Sequence, residues 1–217
     1  MKKVSKIMKW TQLPRISVVL VIFLGLYQSV KAQQPQGKVV FEDNFDDGKS
    51  LDDLDYTATA VQGAPEKPAI SANKSASGKN SIYFPGKRTY IRKRFDRNGL
   101  SNIIFEWKAN IPELGGSFGI NLYNGRDAVV KTNLFSKNFV YFNEANEKIT
   151  LAPYNANEWI TFRIEITGNK YNVYMNNKLV GENISTLGGQ TAVNSIYYSV
   201  GNKTAYVDDI RISTKGE

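Results

Sequence analysis

The stretch from Asn157 to Glu182, NEWITFRIEITGNKYNVYMNNKLVGE, limits what this chain can become more than any other part of it. Ile160, Phe162, Ile164 and Ile166 alternate with Thr161, Arg163 and Glu165, and the run is reversed at Gly168-Asn169. A second run follows and is turned again at Asn176-Asn177. A period of two sends successive side chains to opposite faces of a strand, and turns of this composition hold neighbouring strands in tight antiparallel hairpins. The same alternation recurs over Ile103–Ala109, where Ile103, Phe105, Trp107 and Ala109 oppose Ile104, Glu106 and Lys108. It recurs where Phe118, Ile120 and Leu122 oppose Gly119, Asn121 and Tyr123. Further strands are predicted over 39–45, 54–61, 80–84, 89–95, 127–135, 138–142, 147–151, 170–175, 178–182, 195–200 and 204–212. Turn pairs such as Asp47-Gly48, Asn98-Gly99 and Asn124-Gly125 separate them, and no segment after the first 32 residues carries a helical period. The expected fold is all-β: a two-sheet antiparallel jelly-roll sandwich forming a single domain over residues 39–213, with a tail at 214–217.

Residues 1–32 have to be set apart before charge is interpreted. Lys2, Lys3, Lys6, Lys9 and Arg15 lead into the apolar ISVVLVIFLGLY, and Val30-Lys31-Ala32 offers small residues for cleavage. This is the layout of a secretory signal peptide, followed by a short polar linker at 33–38. The apolar core is shorter than the roughly 20 residues of a membrane-spanning helix. A secreted, periplasmic or cell-surface protein is expected, with no membrane association after cleavage. The 217-residue chain carries 28 basic and 20 acidic side chains, and removing the six basic residues of the leader leaves 22 against 20. That near-balance removes the electrostatic case for a nucleic-acid protein. One asymmetry survives, an acidic segment at 42–55 followed by a basic one whose densest part is KRTYIRKRFDR at 87–97. It reads as a solvated strand face or as a surface for an anionic polymer.

The chain contains neither histidine nor cysteine. Disulfides, thiol nucleophiles and thiolate zinc sites are excluded, as are histidine-based triads and most catalytic zinc sites. An enzyme with this composition has to draw its acid and base from glutamate, tyrosine, lysine or arginine.

The tryptophan-led strand, tight turn and YNVYMNNKLV of the opening stretch resemble the central hairpin of the concanavalin A-like lectin/glucanase and laminin G-like jelly rolls. FEDNFDDG at 41–48 resembles the first strand of secreted bacterial members, and AYVDDIRIS at 205–213 resembles their closing strand, which ends beside the first. The resemblance spans nearly all of 39–213 and implies the fold and a carbohydrate partner, an oligo- or polysaccharide, while leaving the activity open. The Glu-x-Asp-x-x-Glu strand of the laminarinase-like glucanases is absent, and the histidine used by alginate-lyase-like members is absent too.

Three constellations are candidates for function. Asp46 and Asp208 would lie on neighbouring terminal strands and are candidate ligands of a structural calcium ion, which takes six to eight oxygens; alternatively, Asp208 and Asp209 cap a strand end through backbone amides. Glu106, Lys108, Asn121, Tyr123, Arg163 and Glu165 take the non-core parity of their strands, with Tyr141 beside them. They are the candidate glycan-facing surface, or else an ordinary solvated sheet face. A pair such as Glu106 with Glu165 is the candidate for a glycoside hydrolase, which needs two carboxyl groups about 5–10 Å apart. Trp107 and Trp159 are read as core residues, and of Tyr197 and Tyr198 one faces inward and one outward. The reading is a lectin-like binding domain that supports polysaccharide recognition or breakdown. A glycoside hydrolase or polysaccharide lyase on the same fold is the alternative, and a structural or adhesive surface protein the third.

Overall fold

The computed structural model describes residues 37–63 and 66–215, and the alternating segments of the sequence are strands in it. The leader at 1–32 and most of the linker lie outside the described residues. The strands are β1 (Val39–Asp43), β2 (Tyr56–Ala60), β3 (Ala69–Ser71), β4 (Ser81–Phe84), β5 (Thr89–Arg94), β6 (Ile103–Asn110), β7 (Gly116–Asn124), β8 (Asp127–Ser136) and β9 (Asn138–Phe142). They continue with β10 (Lys148–Pro153), β11 (Trp159–Thr167), β12 (Lys170–Met175), β13 (Lys178–Ser185), β14 (Ser195–Val200) and β15 (Ala205–Thr214). A single 3-10 turn, Leu187–Gly189, is the only helical element among the described residues.

All pairings are antiparallel and fall into two sheets. Sheet I runs β13-β12-β11-β6-β15-β4-β3, with β1 also paired to β15, and sheet II runs β10-β9-β8-β7-β14-β5-β2. The first and last strands lie side by side, Phe41 opposite Ile212 and Asp43 opposite Ile210. The short strand β3 is not foreseen from the sequence: at three residues it shows no alternation, and it forms only because β4 offers it an edge. In the hairpin joining β12 to β13, Asn176 and Asn177 take φ of +50° and +63°, the left-handed pair of a type I′ turn that matches the twist of the strands.

The even-odd apolar rows meet between the sheets. Phe105, Trp107 and Phe162 of sheet I form a continuous stack, with centroids 4.5 Å and 5.2 Å apart, and Phe139 of sheet II meets Phe162 edge-on at 4.8 Å. A second aromatic bridge joins Phe84 of sheet I to Phe118 and Tyr198 of sheet II. Trp107 is fully buried, as the sequence predicts. Trp159 is not a core residue. It shares the parity of Thr161 and Arg163 rather than that of Ile160 and Phe162, and it sits half-buried opposite Asn110 on the outer side of sheet I.

Candidate functional site

The candidate glycan-facing residues do not lie on one surface. Asn121 and Tyr123 are on β7 of sheet II, whereas Glu106 and Lys108 on β6 and Arg163 and Glu165 on β11 belong to sheet I. Alternation gives each residue the outward parity that the sequence predicts, but each sheet has its own outside and the two point away from each other. Tyr141 takes the opposite parity from the one expected. It pairs with Thr132, which is fully buried, as its strand neighbour Phe139 pairs with buried Leu134. It acts on Tyr171 of sheet I, whose phenol is held above its ordinary pKa by burial and then by Tyr141. The four side chains of Phe139–Phe142 are all apolar or aromatic and carry no alternation to read; the register with β8 decides their direction.

On sheet I, Lys108, Arg163 and Glu165 are held in ion pairs, whereas Glu106 forms none with a described residue. Glu106 lies opposite both Arg163 and Arg211, Lys108 Nζ is 2.6 Å from Asp209 Oδ2, and buried Glu165 meets Arg163 at 3.3 Å and Lys215 at 3.4 Å. The Arg163 guanidinium also lies over the Tyr174 ring at 4.0 Å. Glu106 and Glu165 are diagonal neighbours, but Glu165 is already held by two cations. One pair ties β6 to β15, and Glu165 ties β11 to Lys215 just past the end of β15.

Sheet II is different. Its outer face is built from rows that cross the strands in register. One row runs Lys131–Asn121–Tyr197–Arg92–Thr57 from β8 to β2, and the next runs Asn133–Gly119–Ser199–Tyr90–Thr59. Tyr90 and Tyr197 lie with centroids 5.2 Å apart at 33°, and Tyr123 meets Tyr197 edge-on at 6.0 Å. With Arg92, Arg126, Gly125, Thr57 and Thr59 these tyrosines line a cleft of about 490 Å³. A second hollow of about 610 Å³, containing Lys131, Asp127 and Gln190, shares Tyr123 and Arg126 with it.

Local folding explains why these groups are held in place. In β5, Thr89 and Ile91 are buried, so Tyr90, Arg92 and Arg94 must face out. In β14, Ile196 and Tyr198 are buried, so Tyr197 is the outward one of the tyrosine pair. Gly125 opens the two-residue turn between β7 and β8 with φ +64°, which puts Arg126 at its tip, and its N–H donates to Asn194 Oδ1 at 3.1 Å. Arg92 Nη2 donates to the Gly125 carbonyl at 2.8 Å and to Ser195 Oγ at 3.4 Å. Burial raises the pKa of Tyr123, opposed by Arg92, and raises that of Tyr197, helped by Tyr90 and Tyr123. Both phenols therefore stay protonated at neutral pH. They can offer a ring face and an O–H, but not a ready base.

Of this site the sequence identifies Asn121 and Tyr123; Tyr90, Arg92, Arg126 and Tyr197 are additions. The basic run at 87–97 and the Tyr197-Tyr198 pair contained the signal, but only the register places both beside Tyr123.

Asp46 and Asp208 converge on one loop. Asp208, fully buried, accepts the amides of Ala76 at 2.7 Å and Ser77 at 3.3 Å on Oδ2 and that of Asp209 at 2.8 Å on Oδ1. Asp46 Oδ1 accepts the amides of Lys79 at 2.7 Å and Asn80 at 3.0 Å. Gly78 makes this approach possible, since a Cβ there would come within 1.5 Å of Asp46 Oδ2. Calcium needs a cage of oxygens. Here amide hydrogens face the carboxylates and would repel a cation, and no group of three acidic side chains gathers among the described residues. The donor set does not fit the ion. Equal melting temperatures in EDTA and in added calcium are therefore expected; a drop on chelation would return the ion to this loop.

No protein-family model matches the chain, and no curated protein matches it either. Solved structures do. A sialidase superposes with TM-score 0.67 at 10% identity over 83% of this chain, which spans only 19% of that enzyme. A Bacillus subtilis protein of unknown function with a galectin-like fold gives TM-score 0.61 at 10% identity, covering 83% of this chain and 98% of that one. Domain 4 of AbnA, a GH43 extracellular arabinanase from Geobacillus stearothermophilus solved in complex with arabinotriose, gives 0.57 at 13% identity, covering 83% and 94%. The fold is a galectin-like β-sandwich. At these identities the likeness is one of architecture, and the function has to be argued from the site.

Proposed function

We propose that the outer face of sheet II is a carbohydrate-binding surface, in a protein that its leader directs out of the cytoplasm. The observation that carries this reading is the convergence of Tyr90, Tyr123 and Tyr197 with Arg92 around one cleft, with Asn121 beside Tyr197 in the register. A tyrosine ring offers its electron-rich face to the C–H bonds of a sugar and its O–H to a hydroxyl. Arginine, asparagine and threonine supply the directional hydrogen bonds that fix orientation. Strands hold these groups before the ligand arrives, so little ordering entropy opposes binding. The architecture adds support, since domain 4 of AbnA holds arabinotriose on the same kind of sandwich.

Binding fits better than hydrolysis. Among the described residues no carboxyl group lines the cleft, where glycoside hydrolysis requires two, and Tyr123 and Tyr197 are poor bases. The test is affinity electrophoresis over a panel of immobilised polysaccharides, with a reducing-sugar assay on the same panel. Tyr197→Ala should weaken retention at least tenfold with an unchanged melting temperature, because the ring is only half-buried, and no reducing ends should appear. Undiminished retention of Tyr197→Ala would remove the cleft from the reading, and release of reducing ends would replace binding by hydrolysis.

A further inference from the structure

Resting on the carbohydrate reading of this face, we infer that its ligand is an acidic saccharide, one whose sugars carry carboxylate or sulfate groups. Among the described residues six ion pairs join Lys49, Lys93, Lys108, Arg163, Lys203 and Lys215 to aspartate or glutamate. None involves the cations of sheet II's outer face. Arg92 is anchored to a carbonyl and a hydroxyl, and Arg94 Nε and Nη2 donate to the carbonyls of Asp96 and Arg97. Arg126 and Lys131 also form no ion pair with a described residue. The cleft holds two arginines and no acid, and the adjoining hollow adds Lys131 against the single carboxylate of Asp127. Cations gathered without counter-charges raise the local concentration of anions and gain most from one that arrives already oriented.

The anchoring of Arg92 holds its positive charge at the cleft. Both of its contacts use Nη2, which fixes the plane of the guanidinium while Nε and Nη1 have no protein acceptor among the described residues. Nε–H and the Nη1 N–H groups lie on different edges of the guanidinium, so Arg92 can give single charge-assisted N–H···O bonds to an anionic oxygen in the cleft. Tyr197 lies directly opposite Arg92 in the register, with Asn121 and then Lys131 beyond it. Strands are about 4.8 Å apart, so Arg92 and Lys131 stand roughly 14 Å from each other across three spacings. A glycan crossing the strands would rest a ring on Tyr197 and meet a cation on either side.

The experiment measures binding of the purified protein to polygalacturonate, to its fully methyl-esterified form, to a sulfated polysaccharide, to a neutral β-glucan and to single-stranded DNA at matched ionic strength. Polygalacturonate or the sulfated polymer should bind at least tenfold more tightly than the esterified and neutral polymers; whichever binds identifies the acidic group. Arg92→Gln should reduce that affinity at least tenfold, and Arg126→Gln should reduce it too. Lys178→Gln, the same charge change at an exposed position on the edge of sheet I, should not alter it. If the neutral or esterified polymer binds as well as the acidic ones, the inference fails and the carbohydrate reading stands. If no polysaccharide binds, both fall. DNA held as tightly as polygalacturonate, or an equal loss in Lys178→Gln, would reduce the face to unspecific charge and overturn the inference.

Discussion

Replacing Trp107 with alanine should cost about 3–5 kcal/mol of folding stability, the range for deleting a large buried aromatic. Trp107 is fully enclosed and stacked on both faces, by Phe105 within its own strand and by Phe162 across the β6–β11 pair. Phe162 in turn meets Phe139 of sheet II, so the cavity left by the indole would open beside the contact that joins the sheets. A loss of that size is a large fraction of the total stability of an ordinary domain. Trp107→Phe should lose much less. It keeps a ring in the stack, and it removes an indole N–H that has no hydrogen-bond partner in the core, a group whose burial carries a penalty of its own. Urea denaturation of the two variants beside the parent measures both losses, provided the slope with denaturant stays constant. A Trp107→Ala protein within about 1 kcal/mol of the parent would mean that the sandwich closes over the gap, and that this stack is not what holds the layers together.

The same packing logic determines how much could be read without coordinates. Period-two rows revealed which side chains are buried, because a strand that exposes Ile164 and hides Arg163 has no stable partner. The resemblance to concanavalin A-like jelly rolls also implied that the first and last strands lie together, as they do. What alternation does not contain is the identity of the sheet. Glu106 on β6 and Asn121 on β7 have the same parity and adjacent strands in sequence, yet the chain crosses from sheet I to sheet II between them. The site suffered from this gap: four of its seven expected members decorate the opposite face, and Tyr90, Arg92 and Tyr197 come from strands distant in sequence. Where alternation lapses, as in Phe139–Phe142, even in and out are fixed only by hydrogen-bond register with the neighbour. The β3 strand is legible in no local signal, since three residues become a strand only when an edge is waiting for them.

The second large effect concerns Asp208 and runs against the usual expectation for a carboxylate. Three backbone amides point at it and favour its charged form, but full burial beside Asp209 outweighs them and lifts its pKa from 3.8 to about 6. Folding therefore takes up a proton at this residue between pH 4 and 6. The stability it contributes is complete below the unfolded pKa near 4 and is lost as pH rises through about 6, a change of about 3 kcal/mol in all. Asp208→Asn cannot titrate, and its amide nitrogen must face N–H donors on one side or the other, so it should be destabilised at every pH. The gap between parent and variant should be widest near pH 4 and should narrow by roughly 2 kcal/mol towards pH 7. Chemical denaturation of both proteins at several pH values gives this difference directly, because titrations elsewhere in the chain cancel between them. A gap that widens as pH rises would show the reverse balance. The amides of Ala76, Ser77 and Asp209 would then outweigh the cost of burying the charge, and the loop they belong to would be held by an ionised aspartate.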